Sequence, residues 1–282
     1  MRPSTGYRVF IHVAALAVSV VILAPFVWLL YSSFAGQTDL ISRPMQWIPD
    51  HVTLERYREI FAGGGNSQGA AFRSAMVNSF LVACGTVLVS LAVGILGGYA
   101  LARLRFPLRR VTLLSFLVTY MLPPITLIIP LYILMSRFGL LDTKTGLIIV
   151  YCSLATPFAL WNLSTFFASL PPELEEAARV DGCSRLGALV RVMLPLSKPG
   201  ILATGLYAFL LCWDEFLYAL IFTSTTTAKT IPVAIAEFTG RNAVDFGLIA
   251  AGGVLASIPP VLLAVVFQRY LISGLSTGAV KG

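Results

Sequence analysis

Six apolar runs divide the chain: Val9 to Phe34, Ala75 to Leu101, Val111 to Met135, Gly146 to Ala168, Ile201 to Phe222 and Phe246 to Ile272. Each is 22 to 27 residues long, enough at ~1.5 Å per residue to cross a hydrocarbon layer of ~30 Å with some tilt. Lipid offers no hydrogen-bond partner to the backbone, so only helices and closed barrels span it. Membrane strands would be alternating segments of ~10 residues, and no such pattern is present. The runs therefore predict an all-α membrane protein with six transmembrane helices. Isolated Pro and Gly inside them do not veto helix, because neighbouring helices can satisfy the freed backbone groups.

Composition agrees with this. Only 12% of the 282 residues are charged, 57% are hydrophobic and the mean hydropathy is +0.84. A water-soluble globule would have too little polar surface to cover its core. The first run has the flanks of a secretory signal, with Arg2 and Arg8 before it and Ser33-Phe34-Ala35 at its end. Its apolar core exceeds the ~7 to 15 residues of a signal peptide, so an uncleaved span is expected. Cys84, Cys152, Cys183 and Cys212 are scattered without paired spacing and read as small apolar fillers.

Positive charge sets the orientation. With both termini in the cytoplasm, the inner segments carry twelve cations: Arg2, Arg8, Arg103, Arg105, Arg109, Arg110, Arg179, Arg185, Arg191, Lys198, Arg269 and Lys281. The outer segments carry eight: Arg43, Arg56, Arg58, Arg73, Arg137, Lys144, Lys229 and Arg241. The run RLRFPLRR packs four arginines between spans two and three. The expected location is the cytoplasmic membrane, multi-pass, with both termini inside. The formal charge of +7 then needs only anionic inner-leaflet lipid, and no nucleic acid, as its partner. The expected division is residues 1–34 for the tail and first helix, 35–74 for an outer loop, 75–272 for a five-helix core and 273–282 for a cytoplasmic tail.

Within that core, PPELEEAARVDGCSRLGALVRVMLPLSKPG, residues 171–200, is charged and patterned where a simple turn would suffice. Pro171 and Pro172 stop the fourth span and suit the start of a new helix. Glu173, Glu175 and Glu176 follow, where the helix dipole favours carboxylates. Leu174, Ala177, Ala178 and Asp181 form an i, i+3, i+4, i+7 stripe, and Glu175 can pair with Arg179. Gly182 ends this helix, and Ser184 caps a second whose stripe is Leu186, Leu189, Val190, Met193 and Leu194. The product is a bent helical knob on the cytoplasmic face. An acidic, alanine-faced first helix suits a protein partner, and an amphipathic hairpin lying on lipid is the alternative.

Glu176-Ala177-Ala178, three residues, Gly182, nine residues, then Val192-Met193-Leu194-Pro195 resembles the EAA signature of membrane subunits of binding-protein-dependent ABC importers. The pattern there is EAA, x3, G, x9, I-x-L-P, and Val192 for Ile is the single departure. Segments 78–107, 121–143, 213–222 and 268–282 are similar to the smaller permease subunit of carbohydrate importers of the maltose type. The resemblance implies that the EAA helix docks on an ATP-hydrolysing subunit and that Gly274 to Gly282 reaches toward the ATPase interface. Carried over, Glu176, Ala177, Ala178, Gly182, Leu194 and Pro195, with Asp181 beside them, are the ATPase-coupling residues. It also implies a second permease subunit forming a heterodimer, two ATPase subunits and an extracytoplasmic solute-binding protein, which the 35–74 loop would contact.

The sequence contains no GxxxxGK[ST], and none of Lys144, Lys198, Lys229 and Lys281 follows a glycine. The chain is expected to bind no cofactor itself, with ATP and Mg on the partner ATPase. Inside the membrane, Asp214 and Glu215 are either hydrogen-bond partners for a solute in the pathway or a structural pair. Similar permeases have Trp-Asn before the acid, where this chain has Trp213-Asp214. Asn162 is either a ligand or interhelical glue, Trp213 either stacks on a sugar or anchors its span, and Gly94 with Gly98 signals close helix packing.

The expected function is a permease subunit of an ATP-driven importer of a sugar or sugar-like solute, with no enzymatic activity of its own. An ABC importer for another solute, such as a polyamine, and an ion-coupled secondary transporter using Asp214 and Glu215 stay open. An enzyme is disfavoured, because His12 and His51 are the only histidines and no catalytic or metal constellation exists.

Overall fold

The computed structural model describes residues 5–42, 51–65, 67–239 and 244–279, with side chains from Gly6 to Gln268. Arg2, Arg43, Arg241 and Lys281, the side chain of Arg269 and the tail from Val280 lie outside the described residues. Helices run in the order α1 Thr5–Phe34, α2 Gln37–Ile41, α3 Glu55–Ala62, α4 Gln68–Arg103, α5 Arg109–Met121, α6 Pro124–Arg137 and α7 Lys144–Ser169. There follow α8 Glu173–Val180, α9 Arg185–Ala188, a π-helical turn Leu189–Met193, α10 Leu194–Leu196, α11 Lys198–Trp213, α12 Leu217–Phe222, α13 Ile231–Glu237 and α14 Phe246–Ala279. Among the described residues no strand forms, and Thr239 and Val244 make an isolated bridge. The all-helical expectation holds.

Among the described residues four helices are long and apolar enough to cross a membrane: Gly6–Phe34, Gln68–Arg103, Lys144–Ser169 and Phe246–Gln268. Two bent pairs raise the number to as many as six. Arg109–Met121 and Pro124–Arg137 meet at 98°, and Arg185–Leu196 meets Lys198–Trp213 at 78°. The third apolar run is therefore not one rod. Pro123 and Pro124 remove two adjacent N–H groups, and Leu122 and Pro123 take extended backbone between α5 and α6. The fifth run also breaks, at Asp214–Phe216, where α11 stops and α12 begins. The last helix continues through Ala279, beyond the Ile272 limit expected from hydropathy.

The chain forms two compact units, Met1–Arg73 with Ala234–Ile258, and Ser74–Val233 with Pro259–Gly282. In the first, the segment after α1 is ordered by side-chain-to-backbone bonds. α3 turns Arg56 and Ile60 inward, one helical turn apart. The buried Arg56 guanidinium donates Nε to Asp245 Oδ1 at 3.0 Å and a terminal N–H to the Ala35 carbonyl. Such a partner set is what burial of a guanidinium requires. Gly247 makes room for it, since a Cβ there would collide with the guanidinium. Arg73 donates to the carbonyls of Ile60 and Gly63, and Tyr57 donates to Ser33 Oγ at 2.9 Å.

In the second unit α7 is the central element and packs against α5, α6, α11 and α12. The Gly94 and Gly98 pair of α4 does what its spacing predicts. A Cβ at Gly94 would lie 3.1 Å from the Ala159 backbone, and one at Gly98 would lie 3.0 Å from the Ser164 nitrogen. Small residues are thus what lets α4 and α7 approach backbone to backbone. Below this contact Tyr99, Leu163, Phe167, Leu189 and Met193 form a buried cluster.

At the N-terminal end of α7 a polar clamp holds the loop of residues 223–230. Asp142 adopts φ +56°, a left-handed conformation that Asp tolerates better than most residues. Its Oδ1 accepts from the N–H groups of Ser224 (2.9 Å) and Thr225 (3.0 Å), and its Oδ2 from the Thr225 hydroxyl (2.6 Å). Lys144 Nζ donates to Asn78 Oδ1 (3.0 Å) and to the Thr227 carbonyl (2.9 Å), and Asn78 Nδ2 donates to the carbonyls of Thr226 and Lys229. Partial burial acts to raise Asp142, but these bonds, with Lys229 nearby, outweigh it and hold the carboxyl below its ordinary range.

Two outcomes follow from this packing. Gly98→Val should destabilise the chain in detergent by roughly 1–3 kcal/mol through overpacking, read as a lower thermal midpoint, whereas Gly64→Val, in open space, should not. A depressed folded pKa means the Asp142 clamp is intact above the ordinary carboxylate range and is lost as pH falls through the depressed value. Amide protection factors for residues 224–230 should therefore fall on acidification, and in Asp142→Ala they should be low at every pH.

Candidate functional site

The knob between α7 and α11 is built as two capped helices. α8 ends at Gly182, whose φ of +88° is open to glycine and costly for other residues. The Cys183 N–H donates to the Ala178 carbonyl (3.0 Å) and the Gly182 N–H to that of Arg179 (3.1 Å), which closes the helix. Ser184 then caps α9 by accepting from the Gly187 N–H at 3.1 Å. Next comes the π-helical turn Leu189–Met193. Pro195 has no N–H for the Arg191 carbonyl and its ring crowds that position, so the turn widens.

This widening changes which residues face inward. Buried positions are Glu175 and Ala178 on α8, and Ala188, Leu189 and Met193 on the second arm. Of the expected stripes, Ala178 on the first helix and Leu189 and Met193 on the second are buried and Leu194 is half-buried, whereas Leu174, Ala177, Asp181, Leu186 and Val190 point outward. Val180 is 87% exposed, Leu186 63% and Val190 59%. Of the residues expected to couple to an ATPase, Glu176, Ala177, Asp181, Gly182 and Pro195 are exposed, Leu194 is half-buried and Ala178 is buried within the chain.

Glu175 does not pair with Arg179 as expected. Its carboxylate turns to the core, where Oε1 accepts from the Tyr99 hydroxyl at 2.7 Å and Oε2 lies 3.7 Å from Arg103 Nε. Arg103 also donates Nη2 to the Leu170 carbonyl at 2.7 Å. One buried carboxylate thus ties α8 to the end of α4, and the same arginine ties α4 to the end of α7. Tyr99 stands edge-on to Phe167, with ring centres 6.1 Å apart. Sequence reasoning missed Tyr99 and Arg103 as partners. The available signal was a tyrosine and an arginine one turn apart, where an apolar helix reaches the interface.

The intramembrane candidates are dispersed among different partners. Asn162 Nδ2 donates to Thr204 Oγ1 (2.7 Å), which joins α7 to α11. Trp213 is buried and stacks on Phe209 with centres 5.3 Å apart. Asp214 is exposed at the end of α11. Glu215 lies in the break and accepts from the N–H groups of Tyr218 (Oε1, 2.9 Å) and Ala219 (Oε2, 3.1 Å), so both oxygens serve the first turn of α12.

Glu215 also lines a cavity of about 370 Å³ with Thr119, Tyr120, Pro124, Ser153 and Leu211. At its edge Tyr120 and Tyr207, neither anticipated from sequence, share a hydrogen bond of 3.1 Å between hydroxyls. Among the described residues no group of three His, Cys, Asp or Glu side chains could hold a metal ion, and the four cysteines are free thiols.

Comparison with known proteins agrees with this architecture. Residues 90–277 match the family described as binding-protein-dependent transport system inner membrane component. The chain is 36% identical to the sulfoquinovosyl glycerol transport system permease protein SmoH of Agrobacterium fabrum, over 92% of this chain and 89% of that protein. It is 37% identical to the trehalose transport system permease protein SugB of Mycobacterium tuberculosis, over 92% and 93% of the two chains. Its fold is shared by a chain of a bacterial ABC transporter involved in import of the acidic polysaccharide alginate, with a TM-score of 0.77 at 21% identity, covering 96% of this chain and 99% of that one.

The Tyr99–Glu175–Arg103 contact yields a direct test of the knob's rigidity. Tyr99→Phe leaves a buried carboxylate oxygen without its donor, a loss worth roughly 1–3 kcal/mol. Limited trypsin cleavage after Arg179 and Arg185 should accelerate in Tyr99→Phe and in Glu175→Ala relative to the unaltered chain. Equal cleavage rates would show that the contact does not hold α8.

Proposed function

The chain belongs to the binding-protein-dependent transport system inner membrane component family and is a permease subunit, and we propose that it serves an ATP-driven importer of a sugar or sugar-like solute. The relatives named above are permeases for sulfoquinovosyl glycerol and trehalose, so a carbohydrate is the solute class this chain inherits by similarity. The proposed topology has six spans, with α5/α6 as one bent span and α11 continued by α12 as another, the Arg185–Leu196 half of the second bent pair belonging to the knob. Both termini and the knob of 171–200 face the cytoplasm, as the arginines of 103–110 favour.

The observation that carries the coupling role is the exposed face of the knob. Ala177, Val180, Leu186 and Val190 present apolar surface on a charged segment that also carries Glu176 and Asp181. Apolar surface of that kind, rimmed by charge, marks a protein partner. The root of the same knob is packed on Tyr99, Leu163 and Phe167, so a push on its face is passed to α4 and α7. The partner is an ATP-hydrolysing subunit, since the sequence has no phosphate-binding glycine loop of its own and ATP and Mg belong on that partner. A companion permease, a pair of ATPases and an extracytoplasmic solute-binding protein complete the assembly. The helix of α14 carries the C-terminal segment toward those ATPases.

Glu215 bears on the mechanism. A carboxylate whose oxygens both accept backbone N–H groups is committed to closing α12. That structural duty accounts for a carboxylate at this depth without a proton or sodium site.

Uptake of labelled trehalose and maltose by the complete reconstituted complex tests the assignment. Glu176→Lys and Val180→Asp should each lower uptake more than tenfold and weaken retention of the ATPase during purification, while the permease still inserts. Gly182→Pro should act likewise, because Pro does not reach φ +88°. Unimpaired uptake in all three would remove the coupling role.

A further inference from the structure

Two helices break at membrane depth and the breaks meet. The Tyr218 hydroxyl, on α12, donates to the Pro124 carbonyl at the start of α6 at 3.1 Å. Irregular backbone at that depth is tolerated where it is buried in protein or borders a polar cavity. The 370 Å³ cavity lies there, lined by Thr119, Tyr120, Ser153 and Glu215 among others.

Next to it stands a cluster of four rings. Phe158 lies 4.1 Å from Tyr207, 6.1 Å from Tyr120 and 6.4 Å from Trp161, measured between ring centres. Tyr120 and Tyr207 are each 41% exposed and Trp161 40%, so the cluster presents open ring surface. Its depth sets it apart from an interfacial belt. At ~1.5 Å per residue Tyr207 is roughly 14 Å along α11 from Lys198, and Tyr120 roughly 17 Å along α5 from Arg109. Aromatic anchors concentrate at the two interfaces, whereas these hydroxyls sit near the middle, where facing hydrocarbon would leave their remaining hydrogen-bonding capacity unmet.

The charge pattern selects the ligand. Both Glu215 oxygens are taken by backbone N–H groups, and Asp214 does not line the cavity. Beside Glu215 the lining offers the hydroxyls of Thr119, Tyr120 and Ser153, with flat ring surface and the Tyr207 hydroxyl at its edge. With one carboxylate among apolar and hydroxyl groups, that combination suits a ring-shaped polyol better than a polycation, which calls for several carboxylates.

We propose that Tyr120, Tyr207, Phe158 and Ser153 form a mid-membrane subsite through which this chain itself contacts one sugar ring of the solute. The proposal rests on the sugar-importer reading and adds the residues and the neutral ligand class.

The test uses the complete complex purified in detergent, without the binding protein, so that binding reports on the membrane site alone. Equilibrium binding of labelled trehalose and maltose is measured. Tyr120→Phe and Tyr207→Phe keep the rings and remove the hydroxyls, and each should weaken binding about tenfold, the size of one lost hydrogen bond. Phe158→Ala removes the central ring and should weaken it further, with all complexes still eluting intact. Excess spermidine should not compete. Wild-type affinity in the two Phe variants, or competition by spermidine, would overturn the subsite. Uptake by the wild-type complex in proteoliposomes separates the two ideas: transport of a sugar with unaffected variants removes the subsite alone, and transport of neither sugar removes the sugar reading and the subsite together.

Discussion

The structure depends on one constraint, that a backbone polar group in hydrocarbon must find its partner inside the protein. Unbroken helices meet it automatically. The informative places are those where helix stops, because each departure needs a specific repair. Thr143 accepts from the Gly146 N–H as α7 begins, Glu215 takes the first N–H groups of α12, and the Pro124 carbonyl receives the Tyr218 hydroxyl. The side chains that looked chemically active in a membrane setting are largely engaged in this repair.

That engagement explains why the candidate pathway residues divided as they did. A carboxylate in a span suggests an ion or solute site, yet Glu215 is held by two N–H donors before any ligand arrives. Asn162 is similarly committed to Thr204, whose own hydroxyl donates to the Gly200 carbonyl. Groups with capacity to spare are the tyrosine hydroxyls. Their bond to each other uses one donor and leaves lone pairs and the second proton to a ligand.

Much of the fold was legible in sequence because it rests on local rules. Hydropathy located α1, α4, α7 and α14, Gly182 and Ser184 were correctly read as stop and cap, and Gly94 with Gly98 marked close packing that is found against Ala159 and Ser164. What was not legible depends on tertiary partners. Helical spacing alone cannot say that Glu175 turns toward Tyr99 rather than Arg179, since both lie within reach of its side chain. The second stripe held at Leu189, Met193 and Leu194 but not at Leu186 and Val190, since a periodicity of 3.6 fails where Pro195 widens the helix. The break at Asp214 carries no proline, and its only local signal was a pair of acids within an apolar run.

A coupling element has to be stiff at its root and adhesive at its face, and the two demands fall on different residues. Stiffness comes from Glu175 and Ala178 turned inward over the cluster of Tyr99, Phe167, Leu189 and Met193. In the proposed coupling role, adhesion would fall to the exposed Glu176, Ala177, Val180 and Gly182. Adjacent glutamates in one acidic run therefore face opposite ways, Glu175 to the interior and Glu176 to the surface proposed to meet a partner. A rigid root also fixes where motion can be absorbed. α4 and α7 are locked backbone to backbone at Gly94 and Gly98, and α7 is pinned near one end by Lys144 and just past the other by Arg103. The two helix breaks of this unit are joined by the Tyr218–Pro124 bond, and the cavity with its tyrosine pair lies beside them. In the proposed coupling, a displacement entering at the knob would pass along α4 and α7 toward the proposed sugar subsite.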